Sequence, residues 1–229
     1  MGGKPLEEQY YFVSEDIRRE TEDHHIEFPW IQEHESLNDD QDLNWYNNEP
    51  IQPYKDVAFQ VSDGHIETPE AFANTDMIFD PNVILMKKHA RNLIMHLIAS
   101  TPTQWLPSYI TTSNGEVYED WFTLHVWKEW DCWDRDRSKF YESGGITYDD
   151  ELSKIYLDEQ AIFSTPEEER LIIRLNALDD DYLLFHEKIV KVLLDNKMKG
   201  LLFVPLKFFG PGGRWWYDNS EEINKLHPW

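Results

Sequence analysis

The chemistry-bearing residues of this 229-residue chain crowd into one stretch, HVWKEWDCWDRDRSKFY (residues 125–141), with three Trp, three Asp, a His and the only Cys. Asp134, Asp136 and Ser138 imitate positions 1, 3 and 5 of a calcium loop. Positions 6 and 12 are Lys139 and Gly145, where that loop needs Gly and Glu. Cys132 and His125 follow no zinc spacing, and no nucleophile signature surrounds Cys132. The stretch therefore predicts a strand leaving a hairpin, with its Trp faces buried and Asp–Arg pairs on the surface.

The other reactive types fare no better. His24, His25 and His34 with Glu27, Glu33 and Glu35 do not make H-E-x-x-H on a helix, and read as solvated loop residues. His89 and His96, seven apart, share one helical face. No G-x-x-x-x-G-K-[ST], G-x-G-x-x-G or G-x-S-x-G occurs. FGPGGRWWYD follows a strand but opens no helix pattern. Paired carboxylates (Asp39–Asp40, Asp149–Asp150, Asp179 to Asp181) and ten Trp raise a carbohydrate-binding or carboxylate-dependent hydrolytic protein as the alternative function. A glycosidase needs two carboxylates at a defined separation in a cleft, whereas adjacent acids in polar runs are usually solvated turns. No metal, cofactor or catalytic residue is expected.

The elements that would position these residues are readable from pattern. Tyr10 to Val13 reads as a buried strand, and Val57 to Val61 alternates like one. Residues 14–56 are polar and irregular, with Phe28, Trp30, Trp45 and Tyr46 set singly among acids and amides. MIFDPNVILM suggests an apolar strand interrupted at Pro81. KKHARNLIMHLIAS then places Ala90, Leu93, Ile94, Leu97 and Ile98 at helical spacing. Asn114–Gly115 marks a hairpin between QWLPSYITT and EVYEDWFTLHVW. ELSKIYLDE and RLIIRLNAL read as strands. DYLLFHEKIVKVLLDNKMKGLLFVPLKFF reads as strand, helix, Gly stop and strand, with Gly200 at a cap or turn. Two of these pieces echo each other. At an offset of 99, Met86 falls on Phe185 and Ile94 on Leu193; with one residue removed, Pro107 falls on Pro205.

Charge is the strongest bulk signal. Forty-four acids against 21 bases give −23, and residues 1–80 alone hold 20 acids and 4 bases. Such a field repels nucleic acid and anionic membranes and speeds encounter with a basic partner. Hydrophobic content of 41% suffices for a core. One Cys excludes an intramolecular disulfide, and no apolar run approaches a membrane span. MGGKPLEEQYY carries neither a charged n-region nor an apolar h-region, so a cytoplasmic location is expected.

The order ILMKKHARNLI, QWLPSYI, SNGEVYEDWFTLHVWKEWDCWDRDRSKF, LSKIYLDEQAIF, RLIIRLNAL, LLFHEKIVKVLLDNKMKGLLFVPL resembles bacterial immunity-protein family eleven, the Myxococcus-type immunity proteins of polymorphic toxin systems. It covers about residues 76–208. Its best pieces are the Trp-Asp…Asp-x-x-x-S arc at 130–138, the LxLDE strand at 155–159 and GLLFVPL at 200–206. The resemblance implies a non-enzymatic protein that neutralises a cognate toxin encoded by the adjacent gene. It carries over no catalytic residue.

The expected fold is α+β: a mostly antiparallel sheet with two main helices and an irregular acidic N-terminal arm. Residues 1–75 form the arm, with one or two strands, and 76–229 form the core with an aromatic tail. Steering charges are expected at Glu33, Glu35, Asp39, Asp40 and Asp42, and aromatic anchors at Trp45, Trp215 and Trp216.

Overall fold

The computed structural model describes residues 4–15, 31–34, 38, 43–46, 48–52, 55–61, 69–80, 83–143, 146–177, 180–210 and 214–228; of 15, 80, 143, 146–151, 180–181 and 214–217 it describes the backbone alone. The fold is α+β and mostly antiparallel. In chain order the elements are α1 (Leu6–Gln9), β1 (Tyr10–Glu15), β2 (Ile31–Glu33), β3 (Val57–Val61), α2 (Pro69–Ala73), β4 (Met77–Asp80), β5 (Val83–Lys87), α3 (Lys88–Ile94), β6 (Thr103–Thr111) and β7 (Val117–Val126). There follow β8 (Glu129–Trp130), β9 (Lys139–Ser143), β10 (Ile146–Lys154), α4 (Glu159–Phe163), β11 (Ile172–Ala177), β12 (Asp180–His186), α5 (Glu187–Asp195), β13 (Leu201–Pro205) and α6 (Arg214–Leu226).

Two sheets carry the architecture, one ordered β2-β3-β6-β7-β5-β4 and the other β13-β1-β12-β11-β8, with β9 and β10 as a separate ribbon. Only β3–β6 and β8–β11 pair in parallel among the described strands. The echo in the sequence is an echo in register. In the first sheet Met77, Met86, Phe122 and Pro107 form one row across β4, β5, β7 and β6. In the second, Ile172, Phe185, Tyr11 and Pro205 form the matching row across β11, β12, β1 and β13. The next row repeats as Ile78, Leu85, Thr123, Leu106 and Ile173, Leu184, Phe12, Val204. Each half is thus a hairpin, a helix and a returning strand. The fourth strand is β7 in the first half, reached through the Asn114–Gly115 turn, and β1 from the chain's beginning in the second.

The hydrogen bonds at the hairpin ends also match: Lys87 N–H donates to the Asp76 carbonyl and His186 N–H to the Leu171 carbonyl, each at 2.9 Å. Each half then clasps the other. The Asp76 and Met77 amides both donate to the Lys199 carbonyl at 3.0 Å, and the Lys199 amide donates to Asp76 Oδ2 at 2.9 Å. Reciprocally, Thr101 Oγ1 donates to the Glu168 carbonyl at 3.1 Å. Gly200 is required at this joint: its φ is +111°, and a Cβ there would lie 1.9 Å from the Met77 carbonyl oxygen.

Alternation along the strands divides the apolar side chains between two faces. One face of each half builds a shared core, in which Met86, Ile94 and Leu124 of the first half meet Phe185, Leu193 and Val13 of the second, and α3 packs against α5. The outer face of the first half packs under Trp45, Ile51, Phe59 and Phe72; that of the second packs under Trp130, Trp133, Leu157 and Ile223.

The helices show local causes. Ile189, Val190 and Leu193 give α5 its buried face, and His186 Nδ1 accepts the Lys188 amide at its start. Asp158 caps α4 by accepting from the amides of Gln160 (2.8 Å) and Ala161 (3.1 Å). The pattern differs from the expectation in three places. MIFDPNVILM is a complete hairpin rather than one interrupted strand. The LDEQAIF segment leaves its strand for α4. The supposed aromatic tail is the helix α6, kinked at Asn219 (φ −132°, ψ 15°), so neither part is long enough to show a period in sequence.

Candidate partner-binding surface

The Trp-rich stretch at 125–141 lies at the seam between the halves and the outer cores. His125, Trp130, Cys132 and Trp133 are all buried. After Trp133 the chain turns tightly: Asp134 Oδ1 accepts from the amides of Asp136 and Arg137 at 3.1 Å each, and Ser138 Oγ accepts from the Tyr156 amide at 3.0 Å. Arg135 pairs with Asp131 at 2.7 Å on the surface. The acids that imitate a calcium loop are turn formers. Among the described residues, no group of three or more His, Cys, Asp and Glu could hold a metal ion.

Burial sets the protonation of the reactive types. It pushes the Cys132 thiol up to about 12, which keeps it from being a thiolate. It pushes His125 down to about 4 and holds His186 below the ordinary range. Tyr10 rises to about 12 through burial, against the Arg170 guanidinium, which donates to its hydroxyl at 2.9 Å while that hydroxyl donates to the Arg170 carbonyl at 3.0 Å. His125 faces the Trp45 carbonyl, and Tyr10 faces the Arg170 backbone and the edge of the His186 ring.

The densest polar junction is centred on Arg174 of β11. Its Nη1 donates to the Trp45 carbonyl at 2.6 Å, and its Nη2 donates to Glu129 Oε1 at 2.7 Å and to the Tyr46 and Trp127 carbonyls at 3.3 Å. His125 Nε2 approaches the same Trp45 carbonyl at 3.3 Å, and its ring meets the Trp45 ring edge-on at 5.6 Å. A buried guanidinium with so many fixed acceptors ties the N-terminal arm to both sheets. Neither Arg174 nor Glu129 was singled out in the sequence, because their partners lie 45 or more residues away along the chain.

Of the residues expected at an interface, Glu33 and Trp45 take other roles. Glu33 is half-buried; Oε1 accepts from Asn38 Nδ2 at 3.1 Å and Oε2 from Trp45 Nε1 at 3.0 Å. It is a brace within the arm. Trp45 is only 7% exposed and pins that arm to the first half, so it is not available as an exposed anchor. Its neighbour Tyr46, 61% exposed, occupies the surface instead. Glu35, Asp39, Asp40 and Asp42 lie outside the described residues, as do the side chains of Trp215 and Trp216 at the start of α6.

A second exposed aromatic went unnoticed in the sequence. Phe163, at the end of α4, is 56% exposed. Glu159 stands one turn before it on the same helix face, and Glu168 and Glu169 are exposed on the 3₁₀ turn that follows. The Arg170 guanidinium lies 5.2 Å from the Phe163 ring. An exposed aromatic ring with acidic residues close to it in sequence suits cationic side chains, as its contact with Arg170 illustrates.

No family model and no curated protein matches this chain. No helix among the described residues is long and apolar enough to cross a membrane.

Proposed function

We propose that the chain is an immunity protein: a non-catalytic inhibitor that binds a cognate bacterial toxin in the cytoplasm of the producing cell. The carrying observation is the exposed Phe163, near the exposed Glu159, Glu168 and Glu169 in sequence, on a chain of net charge −23. The long-range field steers a basic surface, such as the nucleic-acid groove of a nuclease, onto an aromatic anchor that is desolvated on contact. Tyr46, also exposed, offers a second anchor of the same kind. The burial of Cys132, His125, Tyr10 and Arg174 in structural contacts also favours binding over catalysis, and the immunity-family resemblance of residues 76–208 is the source of this reading.

The test is co-expression with the product of the adjacent gene. Growth rescue and a complex that survives purification are expected, with Phe163→Ala weakening the complex tenfold or more. Absence of both rescue and binding sinks the proposal.

A further inference from the structure

The two halves differ at one matched place. In the first, Arg91 on α3 lays its guanidinium over the Phe122 ring at 4.2 Å and near the Trp105 ring at 5.8 Å. By register, Arg91, Phe122 and Trp105 correspond to Val190, Tyr11 and Phe203 in the second. Val190 is too short to cover Tyr11. A groove of about 530 Å³ opens there, between α5 and the end of α6, floored by Tyr11, Val190, Leu194, Leu226 and Pro228. That volume is within the range of pockets that enclose small ligands or single anchoring side chains.

The groove lining carries three lysines against two acids, Glu187 and Asp195, a small positive excess in an acidic chain. Lys188, Lys191 and Lys225 surround the groove in a chain with 44 acids and 21 bases. Their present partners are surface carboxylates: Glu167 for Lys188, Asp195 for Lys191 and Glu221 for Lys225, the last two at 2.8 Å. Exposed pairs of this kind are weak and exchange readily. Of the acids on the groove wall, Glu187 is held by Lys4 at 2.6 Å and Asp195 by Lys191.

From these observations we infer that the groove between α5 and α6 docks an aromatic side chain carried on an acidic segment of a partner protein. In the first half a planar group lies over Phe122, the counterpart of the groove's Tyr11. Three ammonium groups at the rim oppose a guanidinium there and favour an uncharged ring flanked by carboxylates. This surface differs in charge from the Phe163 patch, which it meets at the Lys188–Glu167 pair, and the inference stands whether or not the partner there is a toxin.

The test titrates the full chain with indole-3-acetate, indole and tryptamine, which share one ring and differ in charge, and follows the methyl NMR signals of Val190, Leu194 and Leu226. These signals are expected to shift with all three probes. Indole-3-acetate should bind about threefold tighter than indole, as expected of a surface charge pair, and tryptamine weakest. K191E/K225E changes two exposed side chains, retains the fold and should reverse that order. V190R introduces the first half's filler and should abolish the shifts. Tryptamine binding tightest to the unaltered chain, shifts confined to other methyls, or no shift at millimolar probe overturns the inference. If V190R does not fold, the order measured with K191E/K225E decides.

Discussion

The two halves are built on the same rows and meet in one core, yet they are completed differently. The first is closed by its own next strand through a tight turn. The second borrows β1 from the start of the chain, between β13 and β12. The shared part of each half is therefore the part that packs on the other, and the divergent parts are the outer covers: the arm over the first, the Trp-rich arc and α6 over the second. A core shared by two similar units restricts change there and leaves the covers free to diverge. Both exposed aromatics among the described residues, Tyr46 and Phe163, and the lysine-rimmed groove belong to those covers or border them.

Matched substitutions break the comparison hardest. Phe185→Ala and Met86→Ala remove corresponding side chains from the centre of the shared core and should each cost about 3–5 kcal/mol in chemical denaturation. Both should unfold the molecule in one transition, because neither half keeps its core alone. Two separated transitions would mean that the halves are independent. Arg174→Met should cost about 3 kcal/mol, since it leaves Glu129 and three carbonyls without their buried donor.

Acid acts on both halves through buried histidines, His125 on β7 of the first and His186 at the end of β12 in the second, and His125 is pushed down to about 4. Its folded value near 4 lies below the unfolded value near 6.5, so between those limits the unfolded chain binds the extra proton. Its contribution is complete above pH 6.5 and is lost as pH falls toward 4, by up to about 3 kcal/mol. His125→Gln should flatten that part of the stability profile; an unchanged slope would assign it to His186 or to carboxylates. The smallest effects separate two glycines. Gly200→Ala should cost about 2 kcal/mol or more because the Cβ meets Met77, whereas Gly115→Ala, with φ +84° and open space around it, should cost about 1 kcal/mol.

Much of the repeated frame was legible in the sequence because its elements are short apolar runs with local punctuation. Tyr10 to Val13, the Asn114–Gly115 hairpin, the helix starting at Glu187 and the stop at Gly200 all announce themselves within a few residues. The offset of 99 even matched Met86 to Phe185 correctly. What sequence did not reveal was pairing at a distance: that β1 completes a sheet some 170 residues later, or that the Trp45 carbonyl is held by Arg174. The same gap explains the anchors. Trp45 and Tyr46 are adjacent in an irregular segment, and only tertiary packing decides which one is buried. Phe163 lies past the segment ELSKIYLDE, read as a strand, and only the Asp158 cap turns the following residues into a helix that leaves its ring outside.

Inhibition by binding is tested most directly by titrating the purified chain into the purified product of the adjacent gene while following that product's activity. Loss of activity in proportion to added chain, complete near one equivalent, is the expected result, with the product chemically unchanged. Activity unaffected by excess chain contradicts inhibition, and loss at far less than one equivalent points instead to an enzyme.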